Sequence, residues 1–218
     1  MIASMHLADV GSLRSLSVLR RSPRPDRTPG LVYADTLLTA RLSSGLMPQP
    51  TPGRVALFAV WRDEAALDRF LAEDPLAAQL AGGPAVRLAP LRCRGSWRGL
   101  PELVASQPAV ADDEPVAVLT YGRLKPHRTV AFLRASAKAE ADAIADGAML
   151  VGTGLTRPPR LVSTFSIWRS AARMRDFAHD QSGHAGALRA VAKRDFHRES
   201  IFIRFRPYGA TGEWATAL

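Results

Sequence analysis

Apolar positions along the chain fall into short runs whose period changes, and the changes mark the elements. Residues 3–10 and 31–38 read as strands, while the run 54–61 is apolar on both faces, which predicts a strand buried on both sides. Residues 11–21 keep helical spacing, with Leu13, Leu16 and Leu19 expected to point inward. Asp63 stands at an N-cap position ahead of Ala66, Leu67, Phe70 and Leu71, which again have helical spacing. Pro75 opens a second short helix, and residues 85–94 form a fourth strand. Loops rich in Pro, Arg, Ser and Gly (residues 22–30 and 43–53) separate these elements. The order strand, helix, strand, strand, helix, strand is the ferredoxin-like arrangement.

Residues 96–114, with Pro101, Pro108 and the acidic patch Asp112-Asp113-Glu114, read as a linker, after which the plan restarts. A strand at 115–122 leads to a long helix at 126–145 with the stripe Val130, Leu133, Ala137, Ala141 and Ile144. Strands at 148–154 and 160–168 follow, then a helix at 170–179. A break at Gln181-Ser182-Gly183, a helix at 184–193 and a last strand at 200–206 complete the copy. The expected organisation is an N-terminal module over 1–95, a linker over 96–114 and a C-terminal module over 115–218, forming one compact unit. Two such modules can pack sheet against sheet into an α/β barrel.

The restart is a duplication. An offset of 107 carries Trp61-Arg62 onto Trp168-Arg169, Pro52 onto Pro159, Phe58 onto Phe165 and Phe70 onto Phe177. After an insertion in the second copy, Gly95-x-Trp97 matches Gly212-x-Trp214, so the four tryptophans form two pairs. Shared packing explains recurring Trp, Phe and Pro. It does not explain His184, which stands where the first copy has Ala77. The third strands also differ: Leu57, Ala59 and Trp61 correspond to Thr164, Ser166 and Trp168. The second copy thus offers hydroxyls in place of hydrocarbon, and buried hydroxyls need partners or a pocket to line. The other face, Phe58 and Val60 matching Phe165 and Ile167, is expected to lie on the helices.

Composition narrows the class. With 47% hydrophobic and 22% charged residues the chain is globular, and it has no run long enough for a membrane span. The first residues lack the pattern of a signal peptide, and the single cysteine, Cys93, can form neither an internal disulfide nor a cysteine cage; both fit a cytoplasmic protein. A net charge of +9 raises nucleic acid as a partner, yet the arginines are scattered without basic-aromatic interleaving, which argues against it. A basic pocket for an acidic cofactor, or a face for an acidic redox protein, would use the same charge.

Of the five histidines, His6, His127, His179 and His197 read as structural or solvent-facing. His184 begins a helix behind Gly183 and beside Ala185, Gly186 and Ala187, small residues that let a flat group approach. Such an imidazole suits the axial position of an iron porphyrin. A non-haem site from His179, Asp180, His184 and His197 is the rival, but a histidine spacing of five does not put two ligands on one helix face. No nucleophile elbow, phosphate loop or dinucleotide fingerprint is present; Gly152-Thr153-Gly154 precedes no helix.

Val118-Leu119-Thr120, Leu124-Lys125-Pro126, Thr164-Phe165-Ser166-Ile167-Trp168, Gly183-His184-Ala185 with Leu188-Arg189-Ala190-Val191, Arg198-Glu199 and Arg204-Phe205 together resemble the spheroidene monooxygenase family. Gly95-Ser96-Trp97-Arg98-Gly99 resembles it as well, whereas Tyr121-Gly122-Arg123, His127 and the first eleven or so residues depart from it. The resemblance implies an α+β fold of tandem duplicated ferredoxin-like modules, of the dimeric α/β barrel type. It further implies haem b on a histidine of the C-terminal module, here His184, a carotenoid-like apolar substrate and a ferredoxin-like electron donor. On this reading Arg204, Lys125 and Arg123 pair with haem propionates or polarise bound oxygen, and Thr164, Ser166 and Trp168 line the pocket. A peripheral membrane location would suit a carotenoid substrate, and a homo-oligomer is compatible with the fold. The alternatives are a haem-dependent dehydratase or peroxidase on the same fold, or a non-catalytic protein that binds haem or an apolar ligand.

Overall fold

The computed structural model describes residues 1–41, 49–105, 109–125, 127, 133–134, 137, 141–157, 161–179, 197–216 and 218. The expected helix at 184–193 with His184, the break before it and much of the helix at 126–145 lie outside the described residues. The chain runs β1 (Ile2–Asp9), α1 (Ser12–Arg20), β2 (Leu31–Arg41), β3 (Gln49–Trp61), α2 (Glu64–Glu73), α3 (Pro75–Leu80) and β4 (Ala85–Gly95). It continues through β5 (Val116–Leu124), β6 (Met149–Arg157), β7 (Leu161–Trp168), α4 (Ala171–His179) and β8 (His197–Thr211) to a 3-10 turn, Gly212–Trp214.

The strands close into one antiparallel barrel in the order β1-β3-β2-β6-β7-β5-β8-β4. Each module contributes a ferredoxin-like sheet, 4-1-3-2 and 8-5-7-6, and the modules join where β2 meets β6 and β4 meets β8. The fold is therefore α+β, a barrel of two ferredoxin-like modules. Closure leaves no free sheet edge along the ring. Local signals set the helix starts: Asp63 accepts from the Ala66 N–H at 2.9 Å, and Asp74, ahead of Pro75, accepts from Leu76 at 2.8 Å. The linker caps α4 with its backbone, Glu114 and Asp112 carbonyls accepting from Ala171 and Ala172 at 2.8 and 2.9 Å.

Both faces of the strands are buried, the inner one in the lumen and the outer one under helices. Met5, Phe58, Leu119, Phe165, Ile203 and Phe205 fill the lumen. Leu57, Ala59 and Trp61 meet Leu67 and Phe70 outside, and Val118 and Trp168 meet Ala171 and Met174 in the second module. This reverses the expected faces: Phe58, Val60, Phe165 and Ile167 line the lumen, and it is the tryptophan-bearing face that carries the helices. Both faces are equally apolar in β3, and only closure of the barrel decides which becomes lumen. The indoles settle against helix phenylalanines, Trp61 on Phe70 at 4.9 Å and Trp168 on Phe177 at 4.8 Å between ring centroids.

Two further expectations change. In α1 the inward residues are Ser15 and Val18, whereas Leu13 is 94% exposed and Leu16 59%. The short helix touches the sheet along one line only, and Ser15 sits there with its hydroxyl donating to the Ser12 carbonyl at 2.7 Å. In the stripe of the long helix, Leu133 is buried while Ala141 and Ile144 are exposed, and Ala143, outside the stripe, is buried instead. His6, read as structural or solvent-facing, is buried in β1 between β3 and β4.

Candidate functional site

The barrel registers make the two modules comparable residue by residue. Across the helix-facing side of the first module, one row reads Ala34, Ala59, Ser4, Arg87, and the next reads Thr36, Leu57, His6, Ala85. The corresponding rows of the second module are Gly152, Ser166, Val118, Arg204 and Gly154, Thr164, Thr120, Phe202. Leu57, fully buried, is thus replaced by Thr164, and the neighbouring strand loses its side chains to two glycines. On β6 and β7 the floor is therefore smaller and more polar than on β2 and β3, with Gly152, Gly154, Thr164 and Ser166 in place of Ala34, Thr36, Leu57 and Ala59.

The hydroxyls have different fates. Trp168 Nε1 donates to Ser166 Oγ at 2.9 Å, and Trp61 Nε1 donates to Ser4 Oγ at the same distance. Ser4 and Ala59 are cross-strand neighbours, and Val118 and Ser166 are the equivalent pair. The serine has changed strands between modules, yet each indole keeps its acceptor. Ser166 and Trp168 therefore form the buried frame of the floor, and Thr164, only half-buried, is the hydroxyl presented on it.

Charge compensation differs in the same way. Arg87 of the first module bonds Glu64 at 2.7 Å and Asp68 at 2.5 Å, both from α2. Arg204 is its counterpart, and in α4 the equivalents of Glu64 and Asp68 are Ala171 and Arg175. Among the described residues Arg204 reaches Met174 Sδ at 3.6 Å, and its buried Nε has no partner there. Burial, with Arg92, Arg175 and Arg94 close by, holds its pKa below the usual guanidinium range. Removing two carboxylates and adding an arginine leaves a place for an anion.

Arg123 lies on the opposite, lumenal side of β5, over the Trp97 ring at 5.6 Å and 3.6 Å from Glu199. Lys125 follows the end of β5. The barrel thus brings Arg204, Thr164, Ser166 and Trp168 to one face of the second module and places Arg123 on another. His184 and Asp180 lie outside the described residues, as do the side chains of His179 and His197. Among the described residues no group of three metal-ligating side chains occurs. Ala77, the repeat counterpart of His184, is buried in the first module's helix-facing cluster.

Sequence reading missed a polar cluster at one end of the lumen. Asp35 is bonded by Arg157 Nη1 at 2.8 Å, and burial pushes its pKa up to about 6 against the pull of Arg157 and Tyr33. Beside it, Tyr121 stacks on Trp97 at 5.1 Å, and among the described residues its buried hydroxyl has no partner, nor has the hydroxyl of its cross-strand neighbour Ser163. A carboxylate inside an apolar strand was the available signal. Tyr121 and Arg123, which depart from the family pattern, both belong to this end.

No family model matches the chain. Its fold is similar to two aldoxime dehydratase structures. One, in complex with butyraldoxime, has a TM-score of 0.56 at 9% identity over 95% of this chain and 79% of that one; the other has 0.54 at 11% over 94% and 80%. At that identity the likeness concerns the fold alone. Sequence comparison goes further: the chain is 31% identical to a spheroidene monooxygenase of Rhodobacter capsulatus over 209 residues, covering 92% of this chain and 85% of that protein. It is 32% identical to a spheroidene monooxygenase of Rubrivivax gelatinosus over 191 residues, covering 85% and 72%. The protein is an oxidoreductase of the monooxygenase class. It belongs to the spheroidene monooxygenase family.

Proposed function

We propose that the chain is a haem-dependent monooxygenase of an apolar small molecule, with haem b on the helix-facing side of the second module's sheet and His184 as the residue that would hold its iron. The observation that carries this reading is the altered face itself, where Gly152, Gly154 and Thr164 share one side of the sheet with Arg204, whose first-module carboxylates are replaced by Ala171 and Arg175. A flat group approaches closely only where side-chain branches are missing, and an anionic propionate supplies the acceptor that Arg204 Nε lacks. The residues present therefore fit haem. The burial of Ala77 in the first module's helix-facing cluster supports giving its repeat counterpart, His184, the ligand role.

When bound, the haem supplies the oxygen and electron-transfer chemistry. The chain's residues orient and neutralise. Trp168 and Ser166 hold the floor dry, Thr164 offers a hydroxyl to whatever lies on it, and Arg204 and Lys125 stabilise carboxylate or developing oxyanion charge. Arg123, held by Glu199 and Trp97, serves the lumenal rim. The substrate is of carotenoid type in this reading, because the relatives are named for spheroidene. A net charge of +9 suits an acidic ferredoxin-like donor. Among the described residues no helix is long and apolar enough to cross a membrane, and the proposal places the enzyme in the cytoplasm, peripheral to the membrane for a carotenoid substrate.

The test is the absorption spectrum of protein expressed with a haem precursor, followed by a pyridine haemochrome assay and turnover. The expected result is a Soret band with near-stoichiometric haem b, lost in His184→Ala, and turnover that needs O2 and a reductant. Conversion of an aldoxime without O2 would move the chemistry to a dehydratase. Turnover driven by peroxide alone would move it to a peroxidase. A protein that does not take up haemin would overturn the cofactor.

A further inference from the structure

Helix α1 sits on the barrel with its amphipathic pattern reversed. Ser15 and Val18 face the sheet, while Leu13, 94% exposed, Leu16, 59% exposed, and the exposed Arg20 stand on the opposite side. Residues 13, 16 and 20 share one helix face, being three, four and seven positions apart. Hydrogen bonds fix this seating. The Ser15 N–H donates to the Gly11 carbonyl at 3.0 Å, and Arg157 Nη2 donates to the Leu19 carbonyl at 3.2 Å. Just beyond the helix, Thr36 Oγ1 donates to Ser22 Oγ at 3.0 Å. A single exposed leucine is ordinary. Two on one turn of a helix that buries a serine keep apolar surface in water that a rotation of the same helix would have covered.

The surroundings of this face are cationic. From Gly11 to Gly30 the chain has five arginines, Arg14, Arg20, Arg21, Arg24 and Arg27, all exposed, and one acid, Asp26. Asp26 pairs with Arg24 at 3.0 Å, and among the described residues the other four form no ion pair. Arg175 and Arg206, by contrast, are paired with Asp112 and Glu114.

We propose that α1 and the turn after it seat the protein on an anionic lipid bilayer. Leu13 and Leu16 enter the headgroup region, and Arg14, Arg20, Arg21 and Arg27 meet its phosphates and anionic headgroups. Apolar side chains rimmed by unpaired cations are what an interfacial helix presents. Arginine suits the rim, because its apolar stem lies along the leucines while its guanidinium stays at the phosphates. A second copy of the chain fits worse, since two such faces would bring their arginines together. An acidic protein would match the charge but needs a shaped pocket for two projecting leucines, and a fluid bilayer needs none. This binding rests on α1 and not on the haem or the substrate proposed above.

The full chain, as wild type and as haem-free His184→Ala, is sedimented with vesicles of phosphatidylcholine alone or with about 30% phosphatidylglycerol. Both proteins should partition at least about ten-fold more strongly onto the anionic vesicles and be released by about 0.5 M salt. Leu13→Ser with Leu16→Ser should weaken this at least about ten-fold. Arg14→Gln, Arg20→Gln and Arg21→Gln together should remove the preference for anionic lipid. All five positions are exposed, so the melting temperature should hold. Arg92→Gln with Arg94→Gln, which removes exposed charge from β4, should change binding by less than about two-fold and so separates this face from the net charge of +9. Absence of binding, indifference to the leucine pair, or an equal loss in the β4 variant overturns the proposal. So does self-association that the leucine pair abolishes without any vesicle binding. Vesicle binding by a chain that takes up no haemin would remove the haem reading and leave this one; a haem-loaded, active enzyme that ignores the vesicles would do the reverse.

Discussion

In the first module the sheet and helices meet through Leu57, Trp61, Leu67 and Phe70, each at most 3% exposed, and Arg87 at the border is neutralised by Glu64 and Asp68. In the second module the indole and the helix phenylalanine persist, as Trp168 on Phe177, but Thr164 replaces Leu57, Gly152 replaces Ala34, and Ala171 and Arg175 replace the carboxylates. Duplication gave two copies of one packing scheme, and the first keeps its hydrocarbon contacts and its compensated cation. The other was free to exchange burial for hydroxyls and an uncompensated cation. Function is to be sought where the copies disagree, and the shared positions report on folding.

The largest expected effect is on stability. Leu57→Thr should cost about 2–4 kcal/mol by urea unfolding, because it removes buried hydrocarbon and buries a hydroxyl. Thr164→Leu should stay within about 1 kcal/mol, its site being only half-buried. Equal costs would erase the contrast between the modules.

Next come two titratable groups of the first module that the second replaces with threonine. His6, counterpart of Thr120, has its pKa lowered to about 4 by burial and then by Arg87. A depressed value means that folding favours the neutral ring, a stability present above pH 6.5 and lost as pH falls through about 4. Wild type should therefore lose up to about 3 kcal/mol relative to His6→Thr over that window. Asp35, counterpart of Thr153, is raised from 3.8 to about 6, so folding favours its protonated form. That stability is present below pH 3.8 and lost as pH rises through about 6. Relative to Asp35→Asn, wild type should thus weaken on raising the pH, the opposite slope. Thermal melts across pH 4 to 8 on the three proteins separate the signs; slopes of the same sign would contradict these environments.

A smaller effect tests the serine exchange. Ser4→Val should cost about 1–3 kcal/mol by leaving Trp61 Nε1 buried without an acceptor. Adding Ala59→Ser should recover most of it, since Val118 and Ser166 already use that arrangement around Trp168. A double variant no better than the single would show that the swap is incidental. The smallest effect concerns charge: Arg175→Asp, which gives Arg204 a carboxylate where Arg87 has Asp68, should weaken haemin binding about ten-fold and leave folding intact.

Much of this was legible in the chain. The recurring Trp, Phe and Gly-x-Trp positions predicted two ferredoxin-like modules, Asp63 and Pro75 marked helix starts, and the exchange of Leu57 and Ala59 for Thr164 and Ser166 pointed to the second module's sheet. What escaped depends on long-range pairing. A strand apolar on both sides, such as 54–61, does not reveal which side becomes lumen, because that follows from β2 meeting β6 and β4 meeting β8. Leu13 and Leu16 have helical spacing, yet a nine-residue helix touching the sheet along one line left them outside. Arg204 was legible as a cation, but its lack of counter-ions emerges only when β8 is aligned with β4 and α4 with α2.

The most direct test of the central claim is titration of the haem-free chain with haemin, in wild type, Thr164→Leu and Leu57→Thr, followed by visible absorption. The account predicts stoichiometric binding in wild type, binding at least about ten-fold weaker in Thr164→Leu, and wild-type affinity in folded Leu57→Thr. Haemin binding unaffected by Thr164→Leu, or lost in folded Leu57→Thr, would contradict the assignment of the cofactor floor to the second module.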